Sequence, residues 1–335
     1  MKALLSSLRQ GVARVAEDLL PFYADSFLNW IFLGSACFLA LGFYVFGLPT
    51  TAQRSPSGFF RFLLPKGIYL HPSAVLDYKF YLVNGLLLRF LRIGQLAAAI
   101  VAPLVVSGTV SRICELAFGE NSRPATPGLA GQVCFSFVLF AAVDCAKFCS
   151  HLLFHHVAFL WEFHKVHHAA EVLTPITNAR IHPAEYLVSL VLEVLAAGCV
   201  SGGFGYFYPK GIAELTILSF GFVQFFYYLY GNLRHSHIPL GFGRVVSRVL
   251  CSPAMHQVHH SAAPRHRDKN FSFAFSLWDA LAGTLYVPAR GESFPIGLPD
   301  EGDALFRSLG SLYLRPVRAA GRVLFPKGAL GGGVG

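Results

Sequence analysis

The chain alternates long apolar runs with polar connections, and the runs are long enough to read as membrane spans. Runs of the roughly 20 residues needed to cross a hydrocarbon core cover about 26–48, 93–110, 129–150, 186–208 and 212–230. Five such segments predict an all-α integral membrane helical bundle, with room for one or two of them to be interfacial. Tyr206, Phe207, Tyr208, Pro209 and Lys210 join the last two runs, a mix expected where a hairpin turns at the membrane interface. Glu193 and Glu214 fall within or at the ends of these runs. A carboxylate there is either functional or solvated near the interface.

Composition strengthens the membrane reading, because 54% hydrophobic and 13% charged residues and a mean hydropathy of +0.52 exclude an ordinary soluble domain. Arg9, Arg14, Glu17 and Asp18 interrupt the first residues, which fits an amphipathic surface helix better than a cleaved signal. Seven cysteines, including Cys37, Cys134, Cys145, Cys149 and Cys199 in apolar runs, lack zinc-ribbon spacing and read as reduced. The net charge of +9 is scattered through loops, so anionic lipid headgroups rather than nucleic acid are the expected partner. Arg54, Arg61, Lys66, Lys79, Arg89 and Arg92 follow the first span, against only Arg112 and Arg123 in the next connection, which puts the former in the cytoplasm.

Alternating the spans brings three histidine clusters to that same side: His151-x3-His155, His164-x2-His167-His168 and His256-x2-His259-His260. Histidines at i, i+3 and i+4 share a helix face, where neutral imidazoles can converge on a metal ion. His155 and His164 lie nine residues apart, on opposite faces of any continuous helix, so a break is expected at 157–161. Eight or more nitrogens exceed one structural zinc site and imply two ions with open positions. Asp144 is expected to orient an imidazole through a neighbouring helix or to pair with Lys147. His182 precedes Pro183 and Glu185 and reads as a ligand or a helix cap, whereas lone His71, His156 and His266 read as hydrogen-bonded polar residues.

The strings from Asp144 to His155, WEFHKVHH from Trp161 to His168 and MHQVHHS from Met255 to Ser261 resemble those of the fatty acid hydroxylase and sterol desaturase superfamily. The resemblance runs from about Gln132 to Val287. It includes RIHP at Arg180–Pro183, RHSHI at Arg234–Ile238 and NFSFAFSLWDALAGTLY at Asn270–Tyr286.

The resemblance implies a non-haem di-iron membrane oxygenase that uses O2 and external electrons to hydroxylate or desaturate a lipid. His151, His155, His164, His167, His168, His256, His259 and His260 take the ligand roles, with His235 as a ninth. His237 occupies a position where the family has Asn, which leaves open which of the pair binds metal. Asn270 and Asp279 are implied to shape the site, Asn270 beside a metal-bound water. A sterol desaturase-type enzyme is the leading expectation and a fatty-acyl or ether-lipid hydroxylase the alternative.

A metal transporter or sensor is disfavoured, because the histidines cluster at one face rather than along a path. No haem or flavin region is visible, so a separate electron-transfer protein, a ferredoxin or cytochrome, is expected, with Arg244, Arg248, Arg265, Arg267 and Lys269 available to dock it or to meet headgroups. The chain divides into an N-terminal segment with membrane spans, 1–128, a catalytic domain, 129–290, with its histidine-rich cap facing the cytoplasm, and a basic tail, 291–335. Arg307, Arg315, Arg318, Arg322 and Lys327 in that tail suit a helix along the membrane surface or a solvated one, ahead of the glycine-rich end.

Overall fold

A computed structural model describes residues 28–48, 55–121, 127–218, 220–299 and 302–326, with side chains between 88 and 103 and at 220, 302 and 303 left aside. The expected N-terminal amphipathic segment and the glycine-rich end lie outside the described residues.

The apolar runs form helices that start at side-chain caps. Helix α1 (Trp30–Gly42) opens where the Asn29 side chain accepts from the Ile31 N–H, and a π-helical turn extends it to Gly47. Helix α2 (Pro72–Phe118) is capped by His71, whose Nδ1 accepts from Ser73 N–H, and has proline at its first position, where no N–H is needed. Its 47 residues contain the second apolar run. Helix α3 (Leu129–His156) runs into α4 (Ala158–His168), with the expected break confined to Val157, whose extended backbone (φ −95°, ψ 109°) re-aims the chain. Helix α5 (Pro183–Phe207) starts at His182, where Nδ1 accepts from Ala184 N–H.

The stretches Trp30–Gly47, Leu129–His156 and Pro183–Phe207 are long and apolar enough to cross a membrane, and at most 22% of their most apolar windows is buried inside the protein. Their free apolar surface suits lipid, and the fold is an all-α membrane bundle. Gly202 lets α5 approach α2 closely, since a Cβ there would sit 2.5 Å from the Ser107 carbonyl oxygen. The contact is sealed by the Ser111 hydroxyl donating to the Gly202 carbonyl at 2.8 Å.

The fifth apolar run is not a membrane-spanning helix, which corrects that expectation. After Gly211 (φ 90°) it forms a hairpin of β1 (Thr216–Ile217) and β2 (Phe220–Gly221), then α6 (Phe222–Tyr228). The segment still climbs beside α3. Ile212 lies near Gly131, Leu215 N–H donates to Ser136 Oγ, Phe222 and Phe226 pack on Phe140, and Lys147 sits over the Tyr227 ring. Glu214 accepts from Val223 N–H at 2.6 Å and so caps α6, while Glu193 pairs with Lys147 at 2.7 Å across α3 and α5. Both carboxylates thereby satisfy groups that lipid would leave stranded.

Short elements complete the fold: α7 (Gly231–Arg234), α8 (Pro253–His259), α9 (Leu277–Ala282) and α10 (Leu309–Leu324). Helix α10 lies on α4 and α2 through a cluster of Leu76, Phe80, Val166, Ala169, Phe306 and Leu312.

Candidate metal centre

Nine imidazoles converge in two adjoining groups. His151, His155, His164, His168 and His259 form one and His167, His235, His256 and His260 the other, with the facing nitrogens in each group all within 4.8 Å of one another. Each HxxHH run is divided: α4 sends His164 and His168 to the five-histidine group and His167 to the other, while α8 sends His256 and His260 to the four-histidine group and His259 across. The groups touch, with the His168 and His260 rings 4.7 Å apart.

The hydrogen bonds behind the rings decide what the inner nitrogens can do. His151 Nδ1–H donates to the Phe271 carbonyl at 2.8 Å, His164 Nδ1–H to Glu185 at 2.6 Å and His259 Nδ1–H to the Lys269 carbonyl at 2.9 Å. In the tautomer that these bonds favour, each ring turns its Nε2 inward as the ligand atom. The Nε2 atoms of His151 and His164 face each other at 3.1 Å, an arrangement that only a shared cation makes favourable, and the buried Nε2 atoms of His155 and His259 have no protein partner among the described residues. In the second group His235 Nε2 lies 3.1 Å from His167, 3.1 Å from His260 and 3.0 Å from His256. Metal–nitrogen bonds of about 2.1 Å put neighbouring ligand nitrogens about 3.0 Å apart in octahedral coordination. The donor set and its spacing fit a pair of divalent ions.

Protonation favours the same use. Burial, then the repulsion of neighbouring imidazoles, holds His167, His168, His256 and His260 well below the usual histidine range. Burial and the adjacent Arg234 guanidinium do the same for His235, and His259 is pushed down to about 3 by burial. Neutral imidazole is the ligand form.

The sequence-derived candidates outside the two groups all find other partners. Asp144 reaches neither a ligand imidazole nor Lys147: its carboxylate accepts from Ala274 N–H, Phe275 N–H and Trp278 Nε1–H, each at 2.9 Å. It anchors the segment that delivers the Phe271 carbonyl to His151. Asp279 accepts from Phe271 N–H, Ser272 N–H and the Thr284 hydroxyl in the same segment. Asn270 takes the left-handed conformation (φ 58°) that asparagine tolerates and spends its amide on the Met255 and Tyr286 carbonyls and the Tyr286 N–H, not on the metal groups. With Asp268 also left-handed (φ 55°), the backbone bends so that the Lys269 and Phe271 carbonyls both point at ligands.

His182 is a helix cap, and its Nε2–H donates to the Tyr313 carbonyl. His237 donates to the Phe62 carbonyl at 2.7 Å and stands outside both groups, whereas His235 is inside one. The lone histidines are likewise engaged, His71 as a cap, His156 with the Leu152 carbonyl and His266 with Glu292.

Two positioning residues escaped the sequence reading. Glu185 holds His164, and the only signal was an acidic residue three positions after a His-Pro helix start. Arg180 is 1% exposed; its guanidinium donates to the Val166 and Ala169 carbonyls, which bracket His167 and His168, and pairs with Asp77 at 2.7 Å.

Residues 136–284 match the family described as Fatty acid hydroxylase. The chain is 26% identical over 204 residues to ornithine lipid hydroxylase OlsE of Rhizobium tropici, an alignment covering 61% of this chain and 56% of that protein. It is 25% identical over 166 residues to alkylglycerol monooxygenase of Danio rerio, covering 48% of this chain and 33% of that one. With alkylglycerol monooxygenase of Homo sapiens it is 24% identical over 159 residues, covering 48% and 32%. The chain thus spans between a third and a little over half the length of these relatives. No solved structure matches it.

Proposed function

With residues 136–284 assigned to the fatty acid hydroxylase family, we propose that this protein is a membrane-embedded di-iron enzyme that uses O2 and external electrons to hydroxylate a lipid. The observation that carries the reading is the pair of buried histidine groups at the ends of apolar helices. His151, His155, His164, His168 and His259 would hold one iron, and His167, His235, His256 and His260 the other. When bound, the iron pair would supply O2 activation and attack on an unactivated C–H bond.

The chain's own contribution is orientation and exclusion of water. Glu185 and the Phe271 and Lys269 carbonyls fix the ring directions of three ligands. Phe154, Trp161, Phe271 and Phe273 pack against the imidazoles and keep the centre dry. His155 is the one ligand not fully buried, so a lipid chain is expected to approach on its side.

The names of the relatives favour hydroxylation of a polar acyl or alkyl lipid over a sterol desaturase reaction. The basic loop residues suit a cytoplasmic histidine-rich cap. Exposed Arg244 and Arg248 suit an acidic electron donor, whereas Arg265 is already paired with Glu292 and Arg267 with Asp268. Lipid mass spectrometry on membranes holding wild type or His167→Ala tests the reaction. A wild-type product heavier by one oxygen is expected; one lighter by two hydrogens would replace hydroxylation with desaturation, and no difference with iron and reductant supplied would remove the reading.

A further inference from the structure

Helix α10 turns Leu312, Pro316 and Ala320 into the protein, packs Leu309 and Tyr313 beside them, and leaves its opposite surface open. Arg315, Arg318 and Arg322 stand on one side of that surface and, with Gly310, Ser311 and Leu314, line a groove of about 290 Å³. Among the described residues none of these three guanidiniums has an ion-pair or hydrogen-bond partner, whereas the nearby Arg307 lies 3.7 Å from Glu171. No acidic residue follows Asp303 in the chain. Like charges one turn apart repel one another, so an anion bound between them would stabilise the cluster.

The next sector of the same helix is apolar and open: Leu314, Val317, Leu324 and Phe325 are more than half exposed. The position of the helix relative to the spans is set by Tyr313. Its carbonyl accepts from His182, the cap of membrane-spanning α5, at 3.2 Å, and its hydroxyl reaches Asn84 of α2 at 3.4 Å. The arginines and the apolar sector therefore lie toward the histidine-side end of the apolar helices.

We propose that Arg315, Arg318 and Arg322 form a binding site for the phosphate of an anionic phospholipid whose acyl chains cover Leu314, Val317, Leu324 and Phe325. Guanidinium forks match phosphate oxygens in pairs, and the neighbouring apolar sector separates a lipid from a soluble phosphate. This site rests on the membrane reading and not on the proposed reaction, so its test does not depend on turnover.

The full chain, purified in detergent, is equilibrated with equal amounts of phosphatidylglycerol and phosphatidylcholine, and retained lipid is counted by native mass spectrometry. Wild type is expected to retain phosphatidylglycerol about tenfold over phosphatidylcholine. Arg315→Gln/Arg318→Gln/Arg322→Gln is expected to lose that preference, and the matching triple Lys variant to keep part of it, because charge survives without the fork. Arg318 is exposed, so the single variant Arg318→Gln gives a folded check and is expected to lower the preference about threefold. Equal retention of the two lipids by wild type, or unchanged retention by the Gln variants, overturns the site. Displacement of phosphatidylglycerol by millimolar inorganic phosphate alone would assign the groove to a soluble phosphate instead.

Discussion

The two histidine groups are built from the same residue type and the same recurring run, yet they are held differently. In the five-histidine group the outer nitrogens of His151, His164 and His259 donate to Phe271, Glu185 and Lys269. In the four-histidine group the Nδ1 atoms of His167, His235, His256 and His260 are all buried without a hydrogen-bond partner among the described residues. An acceptor behind an imidazole fixes its tautomer and raises its basicity. Three of the five ligands in the first group are thus oriented by acceptors, whereas the second group is placed by packing and by Gln257, whose amide donates to the Leu233 and Ile238 carbonyls on either side of His235. Three rings of one centre are buttressed and its His155 keeps some exposure; the four rings of the other are all buried.

The comparison breaks most completely if a ligand is removed. His164→Ala or His256→Ala is expected to lower turnover by about a thousandfold or more while membrane insertion persists, because each deletes an inward lone pair but no apolar span. Iron analysis should show each variant losing the ion of its own group. Chelator titration of the iron-loaded protein sharpens the contrast: two phases are expected, with the four-histidine group emptying first, and a single phase would show that the outer hydrogen bonds do not set affinity. Glu185→Gln should weaken metal binding in the five-histidine group by about 10- to 100-fold, measured by competition with a metallochromic dye, and leave the other group unchanged.

A smaller effect is expected for Asp144→Asn, which keeps one acceptor but loses charge-assisted hydrogen bonds and should cost about 2 kcal/mol of stability, read from thermal unfolding. The smallest belongs to His237→Asn, expected to alter activity less than about twofold because the ring it removes meets, among the described residues, the Phe62 carbonyl and surrounding aromatic rings. A large loss there would reassign the metal role between His235 and His237.

Much of the architecture was legible because lipid imposes a simple rule: a run of about 20 apolar residues is a helix when nothing else can satisfy its backbone. Trp30–Gly47, Leu129–His156 and Pro183–Phe207 obey it. The run at 212–230 did not, because Ser136 and Glu214 side chains and a hairpin supply the hydrogen bonds that a helix would otherwise make. Asp144 was expected to orient an imidazole or pair with Lys147 because it lies near the face of His151, and Asn270 was expected at the metal because of the family resemblance. Their actual partners are backbone groups of the 270–286 segment, the Trp278 indole N–H and the Met255 carbonyl, which no spacing rule encodes.

By itself the sequence determined that this is a helical membrane protein with histidines at helical spacing, since hydropathy and the i, i+3, i+4 geometry are local properties. Only the tertiary structure decided which imidazole belongs with which. His164 and His167 are three residues apart and enter different groups, while His151 and His259 are more than a hundred residues apart and share one. A helix face about 100° wide can address two neighbouring points, and which point each ring meets is set by the helices and loops packed opposite.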